Sequence, residues 1–164
     1  MMNGEESGGS GCQDEGDEPQ RLALFLIEEK GFSPADLETG LSIATEFNGE
    51  KVVSRIAMVA KVAGRRTMML RYAPGSITTR ERAAVAAARV LDSDYQIPLV
   101  VVTNGVEAVM LDTYKGKNLA DSLAQLPTKS ELEEEMANLA FLPLEGAKRQ
   151  ERERRILNAF DVDL

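Results

Sequence analysis

The sequence predicts an α/β domain with a mixed central sheet flanked by helices. Two observations support this prediction. The first half of the chain contains apolar segments typical of a three-strand meander, and an alanine-rich crossover helix then leads to a two-strand hairpin. A strand, a crossover helix and a returning strand normally run parallel and right-handed. The sheet should therefore combine one parallel pair with antiparallel neighbours, and helices should cover its faces.

The N-terminal part of the chain predicts a tail followed by a helix. Residues 1–18 are rich in glycine, serine and acidic side chains and offer little to bury, so we expect them to be disordered. Pro19 should open the first helix, and Gly31 should cap its C-terminal end. A short helical turn is expected at residues 34–37.

Three strands should follow, at residues 41–47, 50–62 and 66–72. Asn48-Gly49 lies between the first two, and this dipeptide suits a tight hairpin turn because both residues tolerate positive φ. The third strand, RTMMLRY, has a nearly continuous apolar centre, which is typical of a strand covered on both faces. These segments form the predicted meander.

The crossover helix should begin at a capping box formed by Thr78 and Glu81, and the alanine-rich sequence after it favours helix. Residues 97–103, IPLVVVT, then predict a buried strand. An Asn-Gly dipeptide should turn the chain into the last strand at residues 106–112, which completes the hairpin.

The chain is expected to end in two helices. Ser130 with Glu133 predicts the start of the first by a second capping box, and Pro143 interrupts the pattern before a helix at residues 145–160. We therefore divide the chain into three parts, namely a tail at residues 1–18, an α/β domain at residues 19–128 and a C-terminal helical extension at residues 129–164.

The composition excludes several kinds of chemistry. The chain has no histidine, and its one cysteine, Cys12, lies in the N-terminal tail, so Ser-His-Asp sites, Cys-His sites and histidine-ligated zinc are excluded. A catalytic metal would need carboxylate ligands, as Mg²⁺ usually does. No apolar run approaches the roughly 20 residues that span a bilayer, and no signal peptide is evident. We expect a cytoplasmic protein that does not bind membranes.

Charge is distributed unevenly along the chain. Residues 51–80 contain no Asp or Glu and seven basic residues, although the net charge of the chain is -8. This window covers the predicted second and third strands, so any acidic metal ligands expected on those strands would be missing.

Three segments in a fixed order carry a resemblance to a known family. They are RIAMV at residues 55–59, MLRYAP at residues 69–74 and, after the alanine-rich helix, IPLVVVTNG at residues 97–105. The pattern resembles the N-terminal nuclease-like domain of type I restriction enzyme R subunits, a member of the PD-(D/E)xK restriction-endonuclease-like fold, over residues 19–160. In R subunits an ATP-driven motor follows this domain, whereas this chain ends at Leu164, so we expect a stand-alone relative.

The resemblance implies where a catalytic site would lie. In the family, an Asp on the second strand and a Glu-x-Lys on the third bind Mg²⁺, activate water and stabilise the developing charge. In this chain those positions fall on Ala57, Leu70 and Tyr72. The helical Gln and aromatic residue that such domains often carry would fall near Ala83 and Ala87. The resemblance therefore predicts a catalytically inactive nuclease fold without a metal site or a cofactor.

Two alternatives remain open. The first is an active Mg²⁺-dependent endonuclease with relocated acids, for which Glu46 is the best substitute and Glu15 or Glu18 a possible upstream helical acid. The second is a structural or oligomerisation module, such as a homodimer through a sheet edge or the C-terminal helices.

The preferred hypothesis is a binding module whose ligand is either nucleic acid, DNA or RNA, or a partner protein. Basic residues of the second and third strands and of the helix start would contact phosphates. Alternatively, they are solvated or pair with acids of the tail and the C-terminal helices. The candidate nucleic-acid-binding residues are Arg55, Lys61, Arg65, Arg66, Arg71, Arg80 and Arg82.

Overall fold

The computed structural model describes residues 10–162, with side chains described from residue 17 onwards. Within this range the chain forms four α-helices and eight strands. In chain order they are α1 (Ser10–Lys30), β1 (Leu37–Glu38), β2 (Leu41–Phe47), β3 (Glu50–Ile56), β4 (Met58–Val62), β5 (Arg65–Tyr72), α2 (Glu81–Val90), β6 (Leu99–Thr103), β7 (Ala108–Asp112), β8 (Asn118–Ala120), α3 (Lys129–Glu135) and α4 (Ala147–Phe160). Short 3₁₀ turns lie at Pro34–Asp36, Thr78–Arg80 and Leu123–Gln125.

The predicted mixed α/β fold is confirmed. Six strands form one sheet in the order β1-β4-β5-β6-β7-β8, and β2 with β3 forms a separate antiparallel hairpin. β5 and β6 are parallel and are connected through α2, while the other neighbouring strands of the large sheet are antiparallel. The strand, helix and returning strand therefore pair as the connection rule requires.

The predicted second strand at residues 50–62 is wrong as a single element. It divides at Ala57 into β3, which belongs to the hairpin, and β4, which belongs to the large sheet. The Ala57 N–H donates to the Leu70 carbonyl oxygen at 3.0 Å, so the chain joins the large sheet at this residue. The bend lets the buried side of the hairpin pack with α4, where a straight strand would extend beyond the sheet.

The first helix begins at Ser10, so the predicted start at Pro19 is wrong. Pro19 lies inside α1, although proline is best tolerated in the first turn of a helix. Tertiary contact overrides the local signal, because Glu18 is buried against Gly105 just before the proline. The helix overlaps the predicted disordered tail at residues 10–18, and residues 1–9 lie outside the described part of the chain.

Both predicted capping boxes are wrong. α2 follows a 3₁₀ turn, and no side chain caps its N-terminus with a hydrogen bond. α3 has a capping box two residues earlier than expected. Its Thr128 hydroxyl accepts from the Glu131 N–H at 3.0 Å, and the Glu131 carboxylate accepts from the Thr128 N–H at 2.9 Å. The T-x-x-E pattern after Pro127 prevails over S-x-x-E, because it places Leu132 in the core.

The core lies on both faces of the large sheet. α2 and α4 cover one face, where Leu157 of α4 is fully buried beside the alanines of α2. α1 and α3 cover the other face through Leu22, Leu26 and Leu132. Of the C-terminal helices, α3 packs near β4 of the large sheet, whereas α4 packs mainly on α2 and on the β2–β3 hairpin. No helix within residues 10–162 has the length and apolar character to cross a membrane.

Candidate functional site

The three positions that the resemblance assigns to catalysis lie together where β4 begins and β5 ends. Ala57 and Leu70 are joined by the backbone hydrogen bond described above. Leu70 and Tyr72 lie two apart on β5 and therefore face the same side of the sheet, the side covered by α1. The strand pairing thus brings together residues that are more than ten positions apart in sequence.

Ala57 and Tyr72 line a cleft of about 330 Å³. Its other walls come from the start of β2, the end of β3 and the middle of α1, with the lining residues Pro19, Gly40, Leu41, Ser42, Arg55 and Ile56. No local signal in the sequence marks Pro19, Gly40 or Ser42, because the packing of α1 beside the start of β2 brings them to the cleft. Ser42 and Arg55 are cross-strand partners and therefore lie on the same, outer face of the hairpin.

The residues present do not fit a Mg²⁺ site at these positions. Ala57 and Leu70 carry no oxygen ligand, and Leu70 is fully buried in the apolar core. Mg²⁺ is normally held by carboxylates, and Tyr72 supplies only a phenol. Among the residues whose side chains are described, no three acidic or cysteine side chains converge in a way that could hold a metal ion.

The acids considered as substitutes lie in different places. Glu46 is exposed and lies opposite Lys51 in the β2–β3 register, next to the hairpin turn. The cleft lies at the other end of the hairpin, where Leu41 is opposite Ile56. Five residues of strand separate Glu46 from Leu41, a distance of about 17 Å. The side chain of Glu15 lies outside the described residues.

Glu18 is the substitute acid that the fold places beside the cleft, one residue before Pro19. Its carboxylate forms an ion pair with Arg21 at 2.9 Å and is 12% exposed. It also packs against Gly105, whose φ is +95°, and a Cβ on that glycine would lie 2.9 Å from Glu18 Oε1. The turn after β6 therefore needs glycine for its conformation and for the approach of α1.

The structure separates the seven candidate basic residues into several groups. Arg55 is exposed at the edge of the cleft. Arg71 points to the opposite face of the sheet, where its Nη2 lies 3.1 Å from Asp161 Oδ2 and its Nε donates to the Arg55 carbonyl oxygen. The side chains of Arg71 and Asp161 are 8% and 0% exposed, so Arg71 is not available to a phosphate.

A second group lies at the far end of the β4–β5 pair, about 17 Å along β5 from Arg71. Arg66 donates two hydrogen bonds to Glu38, at 2.7 and 2.9 Å, and also contacts Asp92 at 3.4 Å. These hydrogen bonds hold the pKa of Glu38 below its ordinary value. The Arg65 guanidinium lies over the Phe141 ring at 4.6 Å. Lys61 is half-buried beside Glu38, whose charge it also stabilises.

The last two candidates lie at the start of α2. Arg80 is half-buried and donates to the Phe160 carbonyl oxygen at 3.1 Å. Arg82 is exposed at a groove between α2 and α4. The structure therefore does not bring the seven residues onto one surface. Arg55, Lys61, Arg65 and Arg82 have no side-chain hydrogen bond or ion pair with the described residues, but Arg65 lies over Phe141 and Lys61 lies near Glu38.

A mixed sheet with a parallel β5–β6 pair, a crossover helix and a cleft at the ends of β4 and β5 defines a mixed α/β domain. The chain belongs to the family of type I restriction enzyme R protein N termini, whose model matches residues 17–127. The matched range includes every residue that lines the cleft and leaves α3 and α4 outside. Comparisons with curated proteins and with solved structures gave no match.

Proposed function

We propose that this domain binds nucleic acid without cleaving it. The observation that carries the proposal is the presence of Ala57 and Leu70 where the family's reaction needs two metal-binding carboxylates. Metal-dependent phosphodiester cleavage depends on ligands that fix the ion and on an activated water. The side chains of Ala57 and the buried Leu70 can neither bind a metal ion nor position a water molecule for attack.

Arg55 supports the binding half of the proposal. It is exposed at the edge of the cleft, and a guanidinium there can donate two hydrogen bonds to a phosphate. The absence of acidic residues from 51 to 80 also removes the repulsion that unneutralised carboxylates would exert on a phosphate. Arg55 can therefore neutralise a phosphate at this cleft without a bound metal ion.

A plasmid-nicking assay tests the loss of cleavage. Supercoiled DNA incubated with the protein and Mg²⁺ or Mn²⁺ should remain supercoiled. The matched variants are Glu46→Ala and Glu18→Ala, which remove the two candidate substitute acids. Metal-dependent nicking by the unmodified protein that either variant abolishes would show that the acids have been relocated and that the enzyme is active.

The salt dependence of DNA binding tests the proposal that the domain binds nucleic acid. Arg55→Ser should reduce the slope of log binding constant against log salt concentration for duplex DNA by about 0.9, the value for one lost phosphate contact. Lys51→Ser is the control, because it removes the same charge at an exposed site next to the hairpin turn, at the other end of the hairpin from the cleft. Absent or salt-insensitive binding to both DNA and RNA would refute the nucleic-acid proposal and leave a partner protein or a second copy of the chain as the ligand.

A further inference from the structure

A groove lies between α2, α4 and the turn that follows β7. Its volume is about 490 Å³, and its lining includes Thr78, Arg82, Arg89, Gly116, Arg152 and Glu153. α2 and α4 cover the sheet face that carries Val59 and Met69, whereas Ala57 and Leu70 face the other side. The groove is therefore separate from the strand-end cleft.

At the floor of the groove, the charges of Arg89 and Glu153 are paired with each other. Arg89 Nη1 donates to Glu153 at 3.0 Å, and the rest of the guanidinium donates to the carbonyl oxygens of Thr113 at 2.9 Å and Tyr114 at 3.0 Å. The Glu153 side chain is only 3% exposed. Because this buried carboxylate is matched by Arg89, it does not cancel the charge of the arginines on the rim.

The rim of the groove is mainly basic. Arg82 is exposed on α2, and Arg152 on α4 is 67% exposed, with its Nε 3.8 Å from Glu153 and therefore beyond hydrogen-bond distance. Exposed Lys115 and Lys117 flank the glycine of the lining. The groove is lined by two carboxylates, Glu81 and the buried Glu153, and Glu153 is already paired with Arg89.

We propose that this groove is a second contact surface for the sugar-phosphate backbone of nucleic acid. The proposal rests on the proposed function and adds the residues that make the contact. Arg82 and Arg152 project from facing helices, an arrangement in which two guanidinium groups can hold one phosphate or two successive phosphates. α4 lies outside the family match, so the nuclease-like strands do not by themselves supply this surface.

The positions of the other basic residues favour the groove over the strands. Arg66 and Arg71 of β5 are held in ion pairs with Glu38, Asp92 and Asp161. Transfer of either arginine to a phosphate would leave a carboxylate without its partner. Arg82 has no hydrogen bond or ion pair with the described residues to break, and Arg152 would give up only its 3.8 Å ion pair with Glu153, which keeps its hydrogen bond from Arg89.

Fluorescence anisotropy with a short DNA duplex, and with single-stranded DNA and RNA of the same sequence, tests the groove. The Arg82→Ser/Arg152→Ser double variant should lower the duplex salt slope by about 1.8, the value for two phosphate contacts, between about 50 and 200 mM salt. The matched control is Lys30→Ser/Lys51→Ser, which removes two positive charges away from the groove, at the end of α1 and the start of β3, and should leave the slope near that of the unmodified chain. Thermal unfolding of both variants confirms that they fold.

The outcomes separate this inference from the proposed function. Equal slopes for the groove variant and the control, with Arg55→Ser still reducing the slope, would overturn the groove and leave the proposed function intact. A lower slope in the groove variant alone supports the groove. A chain that shows no salt-dependent binding to any of the three probes overturns both.

Discussion

Replacing Asp161 with alanine should destabilise the protein by about 3–5 kcal/mol, the usual cost of removing one member of a buried ion pair. The carboxylate is fully buried and lies 3.1 Å from the guanidinium of Arg71, which is itself 8% exposed. Neither Asp161 oxygen receives a well-aligned hydrogen bond from the described residues, so the attraction in this pair is largely electrostatic. The variant would leave the buried Arg71 with one hydrogen bond, to the Arg55 carbonyl oxygen.

The same reasoning predicts that removing both charges costs much less. The Arg71→Met/Asp161→Ala double variant should lie within about 2 kcal/mol of the unmodified protein, because it leaves no unpaired charge in the interior. Glu151→Ala is the control. Its pair with Arg155 is more than half exposed on both sides, so its loss should cost about 0.5 kcal/mol or less.

Urea denaturation of the unmodified chain, Arg71→Met, Asp161→Ala and the double variant completes a double-mutant cycle. The coupling energy should be at least about 2 kcal/mol. If Asp161→Ala costs less than about 1 kcal/mol, or if the double variant loses the sum of the two single effects, the two charges do not act as a buried pair and the reasoning is refuted.

Two further predictions concern a turn and an exposed ion pair. Gly105→Ala should lower the free energy of unfolding, measured by urea denaturation, by about 1–3 kcal/mol, because alanine is strained at φ +95° and its Cβ would press on the Glu18 carboxylate. Adding Glu18→Ala to this variant should restore only part of the lost stability. An unchanged urea midpoint in Gly105→Ala would contradict the argument. Arg66 lowers the pKa of Glu38 and so stabilises the folded state. This stabilisation is fully present above pH 4.5, the ordinary pKa of the group, and is lost as pH falls through the lower folded-state pKa. In Arg66→Gln, pH titration of the free energy of unfolding should show a flatter acid limb, and an identical limb would exclude the Glu38 pair as its source.

Much of the fold followed from local patterns. The hairpin of β2 and β3 was predicted because Asn48-Gly49 permits the positive φ values of 53° and 82° that this turn adopts. The parallel pairing of β5 with β6 was predicted because the handedness rule leaves few ways to connect two strands through a helix. Both features depend on short stretches of chain.

The misplaced features depend on contacts between distant residues. Nothing near Ala57 in the sequence indicates that one strand will divide between two sheets, because the bend is set by packing of the hairpin with α4. The early start of α1 has the same kind of cause. Burial of Glu18 against Gly105 joins residues far apart in the chain and overrides the proline signal.

The sequence by itself determined that Ala57, Leu70 and Tyr72 occupy the positions that the resemblance assigns to catalysis, because the type of residue at a position is a local fact. Tertiary structure decided which basic residues remain exposed. Arg71 lies in the same acid-free window as Arg55, yet it is buried against Asp161, ninety positions later in the chain. Whether an arginine contacts solvent or a carboxylate depends on the long-range packing of α4, and no local pattern records that packing.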